Sequence, residues 1–503
     1  MNSNTAAARA ATPETGQKVC KTGVQGMDHI LGGGLPAHRM YLLEGDPGVG
    51  KTTFALQFLM EGVKQGESGL YITLSETKEE LQGVAKSHGW SLDGFDVFEL
   101  SAIEQQLQDV SETTFYQPSE LELNRTTKVL TDEVDRLKPA RVVFDSLSEL
   151  RLLAETPLRH RRQILSLKQF FGGRHCTVLL LDDRTTSTNR DAQVQSIAHG
   201  VISLEKNSPA YGVARRTLNV VKLRGVAFKE GYHDLVINPG GVVIFPRLVA
   251  AEHRGNFVKE IFKSGIAGLD ALLGGGLHRG TSTMLMGPPG TGKSSLSLKY
   301  AWEAAKRGEV VNLFIFDETL GTLIDRGTAM GMDVRPHLES GRMRVDEIDP
   351  AEISPGELMS RIREAVEERD ARMIVIDSVN GYLNAMPEER FLSLQLHELL
   401  SYLNHKGVIT LMVLAQQGLV GSMQSPVDLT YLADGVVMLR YFEAEGQVKQ
   451  AISVIKKRSG QHERNLREYC LDERGIHVGE PLKKFHGVLT GTPTVREVAK
   501  NGH

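Results

Sequence analysis

The chain has 503 residues, 41% of them hydrophobic and 24% charged, with a formal net charge of −4. That length predicts two or more domains, and the balance argues against bulk electrostatic binding to nucleic acid or a membrane surface. Apolar runs fall short of the ~20 residues that span a bilayer.

Cys20, Cys176 and Cys470 share no metal-ligand spacing and read as reduced thiols of a cytoplasmic protein. Residues 1–17 are small and polar, lack the apolar core of a secretory signal, and are expected to be a disordered N-terminal segment. Thr22-Gly23-Val24-Gln25-Gly26-Met27-Asp28 then leads through Leu31-Gly32-Gly33-Gly34-Leu35 and an apolar strand, Met40 to Leu43, into Gly45-Asp46-Pro47-Gly48-Val49-Gly50-Lys51-Thr52.

That last stretch fits the G-x-x-x-x-G-K-[ST] phosphate-binding loop without a mismatch. Glycines let successive N–H groups close around a polyphosphate. Lys51 supplies a charge for the β- and γ-phosphates. Thr52 offers a hydroxyl to Mg2+ and opens a helix whose positive end faces the anion. A Gly-rich turn before a helix is the bland alternative; at ~7% Gly, chance gives such a match in on the order of a few per cent of chains this long.

A second copy removes most of that alternative. Ser264-Gly265-Ile266-Ala267-Gly268-Leu269-Asp270 and Leu273-Gly274-Gly275-Gly276-Leu277 lead into Gly287-Pro288-Pro289-Gly290-Thr291-Gly292-Lys293-Ser294. Gly45 and Gly287 stand 242 residues apart, as do Asp28 and Asp270. A repeat this long means two whole domains. The expected boundaries are a first ATPase domain over 18–247, a charged linker over 248–258, a second domain over 259–485 and a tail over 486–503.

In the first copy a helix follows from Thr53, with Phe54, Phe58 and Leu59 on one face. A strand over Gly69 to Leu74 ends at Ser75-Glu76, Arg141 to Phe144 runs into Asp145, and Val178 to Leu181 ends at Asp182-Asp183. The second copy repeats the order: Leu313 to Phe316 before Asp317-Glu318, Met373 to Ile376 before Asp377, and Ile409 to Leu414 before Gln416-Gln417. Apolar strands alternating with helices predict an α/β fold, a mostly parallel twisted sheet flanked by helices in each half. Ligands then bind at the carboxyl ends of the strands, where these acids collect.

The nucleotide cradle falls on Gly45, Gly48, Val49, Gly50, Lys51, Thr52 and Thr53, and on Gly287, Gly290, Thr291, Gly292, Lys293, Ser294 and Ser295. Asp145 and Asp377, with Thr52 and Ser294, are the expected Mg2+ residues. Glu76 and Glu318 end equivalent strands and are candidate bases for an attacking water or hydroxyl; capping the next helix is the alternative. Lys222-Leu223-Arg224-Gly225 and Lys456-Lys457-Arg458-Ser459 each follow a strand-like run. Such a pair can reach a neighbour's γ-phosphate in a multimer, as an arginine finger does, or can be a solvated basic edge.

Tandem phosphate loops with this lead-in, the Arg215-Arg216-Thr217-Leu218 run and the tail Gly491-Thr492-Pro493-Thr494 resemble the KaiC family of circadian-clock ATPases and autokinases. The resemblance covers about Cys20 to Pro493. It implies a RecA-like fold in each half and a double-ringed homohexamer. ATP would lie between subunits, with Lys222, Arg224, Lys456 and Arg458 acting across the interface. It also implies ATP hydrolysis in the first ring, and in the second a serine/threonine autokinase.

The family's paired catalytic glutamates fall on Ser75-Glu76, where one acid is gone, and on Asp317-Glu318, where both charges remain. Its phospho-acceptor pair falls on Thr430-Tyr431, which makes Thr430 the candidate acceptor and puts a phenol beside it. The stretch 487–494 is similar to the family's regulatory tail loop. With the chain ending at His503, a KaiA-type activator is not expected, while the resemblance leaves room for a KaiB-like partner on the first ring that no residue here points to. Two further readings share the fold: a RecA-type DNA-dependent ATPase, which should carry a basic, aromatic DNA surface, and a nucleotide-gated scaffold without kinase activity. Neither nucleic acid nor membrane is an expected partner.

Overall fold

The computed structural model describes residues 18–99, 118–154, 156–184, 192–384, 391–416, 418, 429–444, 446–483, 485–488 and 494–495. Side chains are described for all of these except 118–126, 192, 193, 384, 494 and 495. The expected disordered segment 1–17 and most of the tail over 486–503 therefore lie outside the described residues. Described residues up to 247, apart from 211–213, form one compact unit, and those from 248 onward a second.

In the first unit the phosphate-loop strand β1 (Met40–Gly45) leads into α1 (Lys51–Lys64), followed by β2 (Gly69–Thr73), α2 (Lys78–Ser87) and β3 (Asp96–Glu99). Next come α3 (Pro118–Leu137), β4 (Arg141–Asp145), α4 (Leu147–Ala154), α5 (Pro157–Gly172) and β5 (Thr177–Asp183). The short α6 (Ala192–Ile197) precedes β6 (Gly200–Asn207), β7 (Arg215–Leu223), β8 (Tyr232–Asn238) and β9 (Gly241–Phe245). The nine strands lie in the order β9-β8-β7-β6-β1-β5-β4-β2-β3. The six from β6 to β3 run parallel and the last three in sequence return antiparallel. The loop strand is thus central, and its carboxyl end shares an edge with those of its parallel neighbours.

The second unit repeats the plan with β10 (Ser282–Gly287), α7 (Lys293–Lys306), β11 (Val310–Ile315), α8 (Leu320–Ala329), β12 (Met343–Glu347) and α9 (Pro355–Glu367). It continues through β13 (Ala371–Asp377), α10 (Val379–Asn384), α11 (Leu392–His405), β14 (Ile409–Ala415), β15 (Gly435–Ala444), β16 (Gln447–Lys457), β17 (Arg467–Asp472) and β18 (Gly475–Pro481). Its order, β12-β11-β13-β14-β10-β15-β16-β17-β18, matches the first. Each unit is the mostly parallel, helix-flanked RecA-like arrangement.

The continuous apolar strands follow from burial on both faces. Tyr41, Leu43, Tyr71, Val143, Leu179 and Leu181 pack on the α1 side. The alternate residues Leu42, Ile72, Val142, Phe144 and Leu180 pack on the α4–α5 side.

The duplicated lead-in has a local cause. Asp28 Oδ1 accepts from the Thr22 N–H (3.0 Å) and hydroxyl (2.9 Å), and Asp270 Oδ1 does the same for Ser264 (2.8 Å each). Between them Gly26 has φ 84°, and a Cβ there would stand 2.0 Å from the Ile244 carbonyl oxygen, which only glycine tolerates.

The expected linker, 248–258, departs from a free connector. Leu248 and Ala250 are buried in the second unit's core. Ala250 N–H donates to Glu398 Oε2 (2.9 Å), the His405 ring hydrogen-bonds the Ala250 carbonyl (3.1 Å), and Phe257 lies over Gly280 and Gly407. Three spaced apolar residues show no period in sequence, yet each finds a seat.

Arg141 opens β4 and is fully buried. Its guanidinium pairs with Glu67 (2.7 Å) and donates to the Lys21 and Phe58 carbonyls (2.7 Å each), tying the lead-in, α1 and the sheet together. Arg141→Ala leaves the carboxylate and both carbonyls without that donor and is expected to cost roughly 3 kcal/mol of stability. Denaturant unfolding of the variant against the parent chain tests this; an unchanged midpoint contradicts it.

Candidate active site

β1 ends at Gly45 and α1 begins at Lys51, so the first-turn N–H groups of α1 face the loop at the carboxyl edge of the sheet. Gly50 turns the chain into the helix at φ 105°, and Gly292 does so at 84°. Gly45, Gly48, Gly287 and Gly290 complete the two loops, with Gly48 at φ 71° and Gly290 at 78°. Val49, Thr53 and Ser295 are buried, so what they offer a phosphate is the backbone N–H. Thr291 is buried too, its hydroxyl donating to the Pro288 carbonyl (2.8 Å).

The two loop lysines have different company. Lys51 Nζ donates to the Gly45 and Asp46 carbonyls (2.9 and 3.0 Å) and pairs with Asp183 at 2.6 Å. Lys293 Nζ donates to the Pro288 carbonyl (2.8 Å), and burial pulls its pKa down to about 8 against the field of Asp377.

Asp145 and Asp377 end β4 and β13 and are buried; a cis peptide follows each. Tyr71 Oη donates to Asp145 Oδ2 (2.6 Å), and burial raises the Asp145 pKa. Asp377 is pushed up to about 6, by burial first, with the Ser294 hydroxyl bonding to it and holding it down. Among the described residues no cluster of three or more His, Cys, Asp or Glu can enclose a metal. One carboxylate and one hydroxyl per site suit Mg2+, which keeps waters and takes its other ligands from phosphates.

The carboxylates Glu76 and Glu318, equivalent by spacing, diverge in surroundings. Glu76 Oε2 is buried with no hydrogen-bond partner. Its pKa is raised to about 7, chiefly by burial, then by Asp145, Glu80 and Asp183, with Lys51 opposing. Thr77, not Glu76, caps α2, accepting from the Glu80 N–H (3.2 Å). Glu318 is gripped by both Arg326 nitrogens, one at 2.8 Å. Asp317 Oδ2 accepts from the Ser378 hydroxyl (2.5 Å).

The basic pairs turn back onto their own chain. Lys222 Nζ donates to the Gln195 carbonyl (2.5 Å) and Arg224 to the Ser196 carbonyl (3.0 Å), at the end of α6. Lys456 Nζ donates to the carbonyls of Thr430 and Ala433 (2.8 and 2.7 Å), and Arg458 to that of Tyr431 (2.9 Å). Thr430 is thus backbone-held beside both cations, half-buried, while Tyr431 is exposed. Asp183, Tyr71, Ser378 and Arg326 are participants that motif reading missed. Asp183 alone had a signal, its place at a strand end; Arg326 had none, because Val84 stands at its equivalent position in the first copy.

Two glycine loops, two buried lysines and two strand-end acids at the carboxyl edges of parallel sheets define a tandem P-loop ATPase. The family model described as "ATPase: KaiC" matches residues 20–249 and 262–483, and the chain belongs to that family. It is 25% identical over 490 residues to the circadian clock protein KaiC3 of Synechocystis sp., covering 94% of each chain. It is 26% identical to KaiC2 of the same organism, covering 95% of this chain and 84% of the relative. Against the circadian clock oscillator protein KaiC of Acaryochloris marina the identity is 25%, over 94% and 91% of the two chains. The chain is accordingly a two-domain KaiC-family ATPase that binds ATP.

Glu76 generates a pH prediction. Between about 4.5 and about 7 the folded chain keeps a proton on Glu76 that the unfolded chain has lost, so this group's contribution to stability falls as pH rises through that window. Glu76→Gln is therefore expected to be more stable than the parent at pH 8, with the difference fading towards pH 4.5. Denaturant titrations at pH 5 and 8 check it; a variant no more stable at pH 8 refutes the buried, unpaired carboxylate.

Proposed function

We propose that the chain works as a homohexameric double ring that hydrolyses ATP in its first half and, in its second, transfers phosphate to its own Thr430. The observation that carries this is the same triad in each half at one sheet edge: loop lysine, buried strand-end Asp, and a carboxylate three residues past the neighbouring strand. Lys51 and Lys293 meet the β- and γ-phosphates, and the loop N–H groups hold the rest. Thr52 with Asp145, and Ser294 with Asp377, would hold Mg2+, which when bound offsets charge on the phosphates.

In the first half Glu76 takes the proton of the attacking water as its oxygen bonds to the γ-phosphorus. The bond to the β-bridging oxygen breaks and ADP leaves. In the second half the nucleophile is Thr430 Oγ1, its proton passes to Asp317 or Glu318, and the product is phosphothreonine plus ADP. Lys222, Arg224, Lys456 and Arg458 exchange their own-chain carbonyls for the neighbouring subunit's γ-phosphate. The relatives' names extend this reading to a timing role, with a KaiB-like protein as the partner it admits.

Intact mass after incubation with Mg-ATP is the test. The parent chain gains one phosphate; Thr430→Ala and Glu318→Gln do not. ATP hydrolysis with no mass shift in the parent rules out the autokinase and leaves a ring ATPase.

Arg326 sets a second expectation. While it holds Glu318 in a bidentate pair, that carboxylate's oxygens are occupied. Arg326→Ala releases them and is expected to speed phosphate incorporation several-fold, followed by mass against time. A slower rate means the pair positions the base instead of masking it.

A further inference from the structure

One buried acid in the first half has no part in the chemistry above. Glu44 immediately precedes the phosphate loop, is 7% exposed, and is fully engaged. Gln195 Nε2 donates to both of its oxygens (3.0 Å each) and Arg184 to one of them (3.0 Å). Arg184 follows Asp183, the residue paired with Lys51. Gln195 is also the residue whose carbonyl takes the Lys222 ammonium. Asp183, Arg184, Glu44 and Gln195 therefore connect the loop lysine of one site to the cation that, under the reading above, serves the next, by side-chain contacts except at two backbone steps, Asp183 to Arg184 and the Gln195 carbonyl to Lys222.

The physical sequence is direct. A polyphosphate arriving on Lys51 competes with Asp183 for the ammonium, and like charge drives Asp183 off. Arg184, the next residue, which also pairs with Glu205 (3.3 Å), would move with it and pull on Glu44. Glu44 then reorients the amide of Gln195, whose own carbonyl is what Lys222 must leave to reach outward.

The second half supplies an internal comparison. Met286 stands in place of Glu44 before Gly287, Gln416 in place of Arg184 after the strand, and Thr430 in place of Gln195 five residues ahead of the sheet strand that starts at Gly435. Met286 has no group that accepts an amide as a carboxylate does, so its side chain cannot play the part of Glu44. The carbonyl seat for Lys456 is kept, on Thr430 and Ala433.

We propose that Gln195, anchored on Glu44, is a positioning residue that couples a subunit's first phosphate loop to the Lys222 it offers its neighbour, making nucleotide use around the first ring cooperative. The inference rests on Lys222 acting across the subunit interface.

The test uses the full chain carrying Lys293→Ala, so that only the first site responds. Nucleotide binding and steady-state hydrolysis are measured for this parent and with Gln195→Leu, Glu44→Met, Glu44→Gln and Lys222→Ala added. The parent should bind ATP with a Hill coefficient above one. Gln195→Leu and Glu44→Met should bring it to one and lower kcat roughly tenfold, with half-saturation little changed. Glu44→Gln, which keeps an acceptor for the amide, should restore cooperativity. A merely structural role would move the thermal midpoint and not the Hill coefficient. If Lys222→Ala abolishes hydrolysis while Gln195→Leu and Glu44→Met retain the parent's cooperativity and kcat, the coupling is refuted and the interface reading stands. If Lys222→Ala hydrolyses ATP normally, the interface reading fails and this inference with it. A non-cooperative parent also refutes the coupling.

Discussion

A lysine buried where a parallel sheet gathers its acids governs the electrostatics of each half. Parallel strands deliver their carboxyl ends to one edge, so residues at strand termini meet whatever their distance in sequence. Register then decides what each lysine meets. β5 brings Asp183 beside Gly45, and β14 brings Ala415 beside Gly287. Lys51 consequently has a carboxylate at 2.6 Å, whereas Lys293 relies on a carbonyl and the more distant Asp377. One phosphate-binding motif thus sits in two surroundings: under the proposed function, an incoming nucleotide would displace an anion in the first half and restore charge balance to a desolvated ammonium in the second.

The carboxylates diverge for the same reason, one layer out. Glu76 stands among like charges with a buried, unpartnered oxygen, which is why it holds a proton near neutrality. A group poised there can both accept and release a proton at working pH. Glu318 has Arg326 on α8, while its counterpart in the first copy, Val84, packs against the core. An apolar residue in one copy and an arginine in the other thus give the two matched carboxylates different surroundings.

Much of this was legible in sequence, and the limit has a physical form. Both phosphate loops, their lead-ins and the strand-end acids declare themselves by residue type and fixed offset, and the strands by unbroken apolar runs. What stayed hidden is pairing. Lys51 and Asp183 are brought together only by the strand order, and Arg326 carries no motif. Equal spacing even misled, since it made Glu76 and Glu318 look alike. The seating of Leu248, Ala250 and Phe257 escaped because isolated apolar residues among charges have no period to detect.

The position five residues ahead of the sheet shows how duplication has been used. In both halves its carbonyl receives the lysine of the basic pair. In the first half the residue is Gln195, whose amide binds a buried carboxylate, so under the proposed coupling it would act by movement. In the second half it is Thr430, a hydroxyl beside two cations. Should that hydroxyl take a phosphate, a dianion would form within reach of Lys456 and Arg458 and compete with any neighbouring nucleotide for them. If both proposals hold, the shared backbone seat would support two kinds of control over equivalent basic pairs. One would be a constant mechanical link, and the other a charge that covalent chemistry adds.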